Sequence, residues 1–114
     1  MARVRLASLS ELEPEKPLRV EFDFDAAVAL VRTADGGVYA LNDNCTHEDY
    51  SLSEGWVEDH QIECALHGSR FDLRSGRPDV PPAVVPVRTY PVEVQGEDVY
   101  VDLPDELAAL AAQL

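Results

Sequence analysis

The sequence predicts an all-β domain that ends in a short helix. Three observations support this fold class. Apolar residues alternate with polar ones in several short runs, two groups of turn-forming residues join such runs into hairpins, and a helical pattern follows only after Pro104. Residues 42–77 lack long periodic runs. We expect this segment to be an irregular, loop-rich insertion between two groups of strands.

Strand patterns dominate the N-terminal part of the chain. Residues 3–6 alternate briefly, and residues 18–24 place apolar side chains at every second position. Residues 27–31 form a continuous apolar run, which is typical of a strand buried on both faces. The glycine-containing turn at residues 35–37 joins this run to residues 38–41, and together they predict a β-hairpin.

The C-terminal part predicts a second hairpin. Residues 84–87 and 92–94 have strand-like composition, and a turn at residues 95–98 leads into a strand at residues 99–103. Prolines in this part cannot donate to a sheet ladder and should limit pairing in central strands. They are Pro78, Pro81, Pro82, Pro86 and Pro91.

A short helix is predicted within residues 104–114. Asp105 and Glu106 favour a helix N-terminus, where the helix dipole stabilises negative charge. Leu107, Leu110 and Leu114 then fall on one face, which we expect to pack against the domain.

Length and charge limit the possible functions. The 114 residues are enough for one domain, so we expect a single domain over residues 1–114 that contains the insertion at about 42–77. The net charge of −13 argues against nucleic-acid binding, because phosphate neutralisation requires a basic surface. No signal-peptide or membrane-spanning run is present, and we expect a cytoplasmic protein without membrane contact.

The two cysteines of the chain each lie near a histidine. The first pair is Cys45-x-His47 and the second is Cys64-x-x-His67. A structural zinc site could use two Cys and two His, but zinc modules usually pair Cys with Cys and His with His. A Cys/His nucleophile would leave the duplicated arrangement unexplained. A [2Fe–2S] cluster with two Cys on one iron and two His on the other fits both mixed pairs best.

The motifs CTH and CALHG, followed by Ser69, Phe71 and Gly76, resemble the Rieske and Rieske-type ferredoxins. Further similarity lies in residues 51–55 between the motifs and in the proline-containing segment 81–83. The resemblance implies the Rieske iron–sulfur fold, in which an antiparallel β-sheet base domain carries a small cluster-binding subdomain. It also implies one [2Fe–2S] cluster per chain.

The same resemblance implies roles for individual residues. Cys45 and Cys64 would bind one iron, whereas His47 and His67 would bind the outer, more exposed iron. Four further residues would lie around the cluster: Gly68, Ser69, Phe71 and Pro82.

Departures from the family pattern are informative. The respiratory branch joins its two ligand loops by a disulfide, but the corresponding positions here are Tyr50 and Leu66. The chain therefore resembles the soluble ferredoxin branch. Of two hydroxyl groups near the cluster in the high-potential branch, Ser69 is kept and the tyrosine is replaced by Phe71. We expect a low potential, toward the bottom of the range of roughly −150 to +300 mV for such centres.

For three side chains near the ligand motifs, we expect a structural role and no part in electron transfer. Trp56 and Phe71 are predicted to be core residues beneath the loops. His60 is predicted to be a solvated residue of a turn.

The inventory of histidines argues against an enzyme. Only three are present, and two are assigned to the cluster, so the two-His, one-carboxylate iron site of an oxygenase cannot be built. No G-x-G-x-x-G follows a strand, which argues against a nicotinamide or flavin domain.

By resemblance, we expect a monomeric electron carrier between two transient partners. These would be an NAD(P)H-dependent flavoprotein reductase as donor and an oxygenase component as acceptor. One alternative is a small accessory Rieske subunit of a nitrite-reductase-like or iron–sulfur-assembly system, and another is a structural zinc module.

Overall fold

The computed structural model describes residues 2–23, 26–66, 68–81 and 83–113. Met1, Phe24, Asp25, His67, Pro82 and Leu114 lie outside the described residues. The strands are β1 (Ala2–Ser8), β2 (Leu18–Asp23), β3 (Ala26–Arg32), β4 (Val38–Asn42), β5 (Trp56–Glu58), β6 (Gln61–Glu63), β7 (Arg70–Asp72), β8 (Pro78–Val80), β9 (Thr89–Tyr90), β10 (Val92–Gln95) and β11 (Asp98–Leu103). The helix α1 covers Asp105–Ala111.

The described strands form three antiparallel sheets. The outer sheet has the order β1-β11-β10, the central sheet β2-β3-β4-β9, and the loop-bearing sheet β5-β6-β7-β8. This architecture confirms the all-β fold class with one short C-terminal helix.

Strand β3 of the central sheet is buried on both faces, because it sends alternate side chains to two different cores. Val28 and Leu30 enter the helix core, which also contains Val99, Val101, Leu103 and Ala111. Ala29 and Val31 enter the cysteine core, which also contains Leu52, Ile62, Phe71, Leu73 and both cysteines. Two-sided burial explains the continuous apolar run that the sequence places at residues 27–31.

The terminal helix packs where the sequence predicts. Ala111 is buried in the helix core, and Leu107 and Leu110 are half-buried against it. Asp105 and Glu106 lie in the first turn. The predicted contribution of Leu114 lies outside the described residues.

Both predicted hairpins are present. β3 pairs with β4 through a turn in which Gly36 adopts a φ of 92°, and β10 pairs with β11. The predicted strand at residues 84–87 is wrong, because this segment is irregular and leaves Val84 82% exposed. Pro86 has no N–H to donate, and pairing with β4 begins only at Thr89.

The loop-bearing sheet consists of four short strands, and β5, β6 and β7 lie within residues 42–77, where the sequence predicts an irregular insertion. β5 and β6 are joined by Asp59 and His60, which both have positive φ values, of 51° and 62°. A two-residue turn with positive φ at both positions is the hairpin geometry that Asn-Gly or Asp-Gly normally signals. In the part of the chain that the structure describes, no helix has the length and apolar character needed to cross a membrane.

Candidate metal centre

The first ligand loop begins shortly after β4. Cys45 is buried, and its backbone N–H donates to the carbonyl oxygen of Tyr50 at 2.8 Å. This bond closes residues 45–50 into a compact loop. His47 lies on the exposed side of it. The loop therefore holds a thiol inside the protein and presents an imidazole to the surface.

The second ligand loop begins after β6 and is closed in the same way. The backbone N–H of the buried Cys64 donates to the carbonyl oxygen of Ser69 at 2.7 Å. The N–H of Gly68 returns to the carbonyl of Cys64 at 3.0 Å, and Gly68 has a φ of 78°, which favours glycine. In both loops the cysteine N–H bonds the carbonyl five residues later, although the Cys–His spacings differ.

A buried carboxylate that sequence reasoning missed anchors the first loop. The side chain of Asp43 is fully buried and accepts hydrogen bonds from Ser51 Oγ at 2.6 Å and the Ser53 backbone N–H at 2.7 Å. Ser53 Oγ at 2.7 Å and Arg19 Nη1 at 2.8 Å complete its partners. The hydrogen bond to Asp43 raises the pKa of Arg19. Charge and spacing alone do not distinguish Asp43 from the exposed Asp49 in the sequence.

The segment between the two loops packs directly against the second one. A Cβ on Gly55 would lie 1.7 Å from the carbonyl oxygen of Glu63, the residue before Cys64. Such an approach is possible only for glycine. Gly55 therefore allows the segment between the two ligand loops to pack against the residue that precedes Cys64.

Residues 83–85 connect both ligand loops. The N–H of Ala83 donates to Ser69 Oγ at 3.0 Å, and Thr46 Oγ1 donates to the carbonyl oxygen of Val85 at 2.5 Å. Ser69 is fully buried, and the bond from Ala83 leaves the hydroxyl proton of Ser69 for another acceptor. Pro82, which the sequence places next to the cluster, lies outside the described residues.

The donor atoms suit an iron–sulfur group. Cys45 and Cys64 are 2% and 1% exposed and belong to the same core as Phe71, which is confirmed as a core residue. The structure has no disulfide between the two thiols. Two buried thiols, each at the start of a closed loop, fit the two thiolate ligands of one iron.

The described residues do not contain the full predicted ligand set. Within residues 2–23, 26–66, 68–81 and 83–113, no three His, Cys, Asp or Glu side chains are grouped as a metal site. His67 lies outside these residues, so the fourth ligand remains a prediction.

His60 lies in a turn, as the sequence predicts, but it is half-buried and paired instead of fully solvated. Its Nε2 lies 3.0 Å from Asp35 Oδ2 in the β3–β4 turn, and its ring makes an edge contact with Tyr39 at 6.2 Å. The pKa of Asp35 is lowered to about 2 by the hydroxyl of Thr33, then by the N–H of Gly37 and by His60. His60 thereby links the loop-bearing sheet to the central sheet.

The prediction that Trp56 is a core residue is wrong. Its side chain is 60% exposed on β5, while the next residue, Val57, points into the cysteine core. Alternation along the strand sends Trp56 outward once Val57 is directed inward.

Comparison with known proteins agrees with this architecture. The family model described as the Rieske [2Fe-2S] domain matches residues 2–91. The chain is 41% identical over 103 residues to the ferredoxin component of biphenyl 2,3-dioxygenase from Rhodococcus jostii (strain RHA1), covering 90% of this chain and 94% of that protein.

Two solved structures are similar throughout. The ferredoxin of carbazole 1,9a-dioxygenase from Nocardioides aromaticivorans IC177 has a TM-score of 0.82 and 37% identity, covering 91% of this chain and all of that one. A complex of reduced oxygenase and oxidised ferredoxin in carbazole 1,9a-dioxygenase contains a chain with a TM-score of 0.80 and 36% identity. That match covers 87% of this chain and 91% of the other.

Two buried thiols, each at the start of a closed loop in a small β protein, fit the class of iron–sulfur proteins. This chain belongs to the Rieske [2Fe-2S] domain family. Membership implies one [2Fe–2S] cluster per chain.

Proposed function

We propose that the chain is a ferredoxin that passes single electrons from an NAD(P)H-dependent flavoprotein reductase to the terminal oxygenase of a multicomponent system. Its similarity to dioxygenase ferredoxin components over nine-tenths of its length supports an electron-carrier role. The carbazole dioxygenase structure, in which a similar ferredoxin is bound to an oxygenase, supports an oxygenase as acceptor.

The observation that carries the proposal is the pair of buried cysteines in two identically closed loops. Cys45 and Cys64 would hold one iron, and His47 and His67 would hold the other. The cluster, when bound, accepts and releases one electron. His47 lies on the surface and is therefore suited to contact a docked partner.

Apolar side chains around the ligand loops would form the docking site near His47. Leu66 is 42% exposed in the second loop, and Val84 and Val85 are 82% and 55% exposed in the segment bonded to both loops. Exposed apolar groups held on a hydrogen-bonded segment are typical of a contact surface. The expected interface is small and transient, as in other electron-transfer pairs.

The chain does not have the residues for oxygenation itself. It contains three histidines, and His60 is the only one outside the proposed ligand set. We therefore propose an electron-transfer component that is not catalytic alone, and the oxygenase supplies the substrate chemistry.

Metal analysis tests the ligand assignment. We expect two irons and two acid-labile sulfides per chain, and loss of the visible spectrum in H47A and H67A. H60N is the matched control and should keep the cluster. One zinc per chain without colour would refute the proposal, as would an intact spectrum in either ligand variant.

Reconstitution tests the direction of transfer. The protein, a flavoprotein reductase, NADH and an oxygenase component are combined, and each protein is omitted in turn. We expect the oxygenated product to form only in the complete mixture. We also expect the midpoint potential of the cluster to lie below zero. Product without this chain, or a midpoint well above zero, would contradict the proposal.

A further inference from the structure

The outward face of the loop-bearing sheet has an unusual composition. Its residues include Trp56, Glu58, Gln61, Glu63 and Arg70, and we call these five the tryptophan face. These residues, with Asp59 in the adjoining turn, surround a cleft of about 80 Å³. Trp56 is the only tryptophan of the chain, and it is more than half exposed.

Backbone pairing holds this face in place. Trp56 is opposite Glu63, and Glu63 is opposite Arg70 across the next strand. Gly55 fixes the start of β5 against Glu63, since any side chain there would collide with a backbone oxygen. A shift of one residue would bury Trp56 and expose Val57. The indole is therefore presented outward by a fixed register.

The face carries negative charge that the protein does not neutralise. Glu63 pairs with Arg70 at 3.0 Å. Neither Glu58 nor Asp59 has an ion-pair partner among the described residues. The surrounding segment, residues 42–77, has eight acidic side chains and three arginines. An exposed aromatic ring beside two available carboxylates suits a cationic side chain, which can stack on the ring and pair with the carboxylates.

We propose that the tryptophan face docks a protein surface that presents an arginine or lysine side chain. The cation stacks on Trp56 and pairs with Glu58 and Asp59. Binding at this face depends on charge, unlike binding at the apolar residues around the ligand loops. It therefore weakens as salt is added. That the partner is a redox protein rests on the proposed function. The binding chemistry itself does not depend on electron transfer.

The test uses hexa-arginine as the probe and the cluster-loaded protein. The single tryptophan is replaced biosynthetically by 5-fluorotryptophan, so one fluorine resonance reports on position 56. Calorimetry gives the dissociation constant for each variant. W56A and W56L remove the ring, with V94A as the control for an exposed apolar residue on β10. E58Q/D59N removes the two carboxylates. The charge-matched control is E15Q/E106Q, which removes two exposed carboxylates outside the loop-bearing sheet.

We expect a saturable shift of the fluorine resonance that salt reverses. Each face variant should weaken binding by about five-fold, since an exposed cation–π contact or pair of ion pairs has an energy of about 1 kcal/mol. The controls should stay within about two-fold. An unchanged resonance, or equal losses in E58Q/D59N and E15Q/E106Q, would overturn the proposal.

Electrode measurements on the same samples separate the two proposals. A sample that binds hexa-arginine at Trp56 but gives no one-electron wave contradicts the carrier function alone. A normal wave without localised binding contradicts the docking proposal alone.

Discussion

The guanidinium of Arg19 lies 2.8 Å from the fully buried carboxylate of Asp43. Arg19 belongs to β2 of the central sheet, whereas Asp43 lies two residues before the first thiol. This ion pair therefore connects the base of the fold to the first ligand loop. Ser51 and Ser53 add the hydrogen bonds that a buried carboxylate requires.

Replacing Asp43 by Ala should loosen the first loop. It leaves the Ser53 N–H without its acceptor and removes the carboxylate that pairs with the exposed Arg19, and losing hydrogen bonds to a buried charged group costs about 3 kcal/mol. We expect the temperature at which visible absorbance is lost to fall by about 10 °C at a fixed scan rate. The exposed E48A is the control, and an equal midpoint in D43A and E48A would show that the pair has no such role.

Replacing Ser69 by Ala should lower the midpoint potential. The bond from Ala83 uses the oxygen of Ser69, so its proton is available to stabilise added negative charge nearby. Loss of one such hydrogen bond corresponds to a fall of about 60 mV for one electron. Voltammetry measures this value, with S75A as the control. An unchanged potential would leave Ser69 with only its structural bond to Ala83.

Substitutions at Gly55 and Gly96 should differ sharply in their effect on cluster incorporation. G55A places a Cβ within 1.7 Å of a backbone oxygen beside Cys64, so we expect little or no cluster incorporation. Gly96 has a φ of 61° but nothing within 4 Å of an added Cβ, so G96A should cost only about 1 kcal/mol. Iron content after purification compares them, and similar loading in both variants would contradict the packing argument.

Alkaline pH should destabilise the protein through Tyr90. Burial in the helix core raises the pKa of its hydroxyl, and the nearby Arg88 opposes this only in part. A raised folded pKa means that the contribution of Tyr90 is complete below about pH 10. It is lost as the pH rises through the higher folded value. Between pH 9 and 11.5, the melting temperature should fall less steeply in Y90F than in the unchanged protein. Parallel curves for the two proteins would disprove this assignment.

Local signals account for what the sequence predicts well. The β3–β4 hairpin follows from apolar runs around Gly36, and α1 follows from its acidic first turn and leucine spacing. The Cys and His pairs indicate a cluster because their residue types match the ligands. These features depend on neighbours along the chain.

Features that depend on distant residues could not be predicted. Asp43 is buried because Arg19, from another strand, meets it. The outward direction of Trp56 could not be predicted, because a three-residue strand gives too little alternation to identify its buried face. The turn at Asp59 and His60 uses positive φ without glycine, so the usual signal is missing.

The two faces of β3 have a consequence for maturation. Both cysteines lie in one core, whereas the helix core on the opposite face of the central sheet contains neither. Packing of the helix core therefore does not require metal ligands. We therefore expect the newly made chain to form this half of its interior before iron and sulfide are delivered, so that cofactor delivery completes a scaffold instead of starting one.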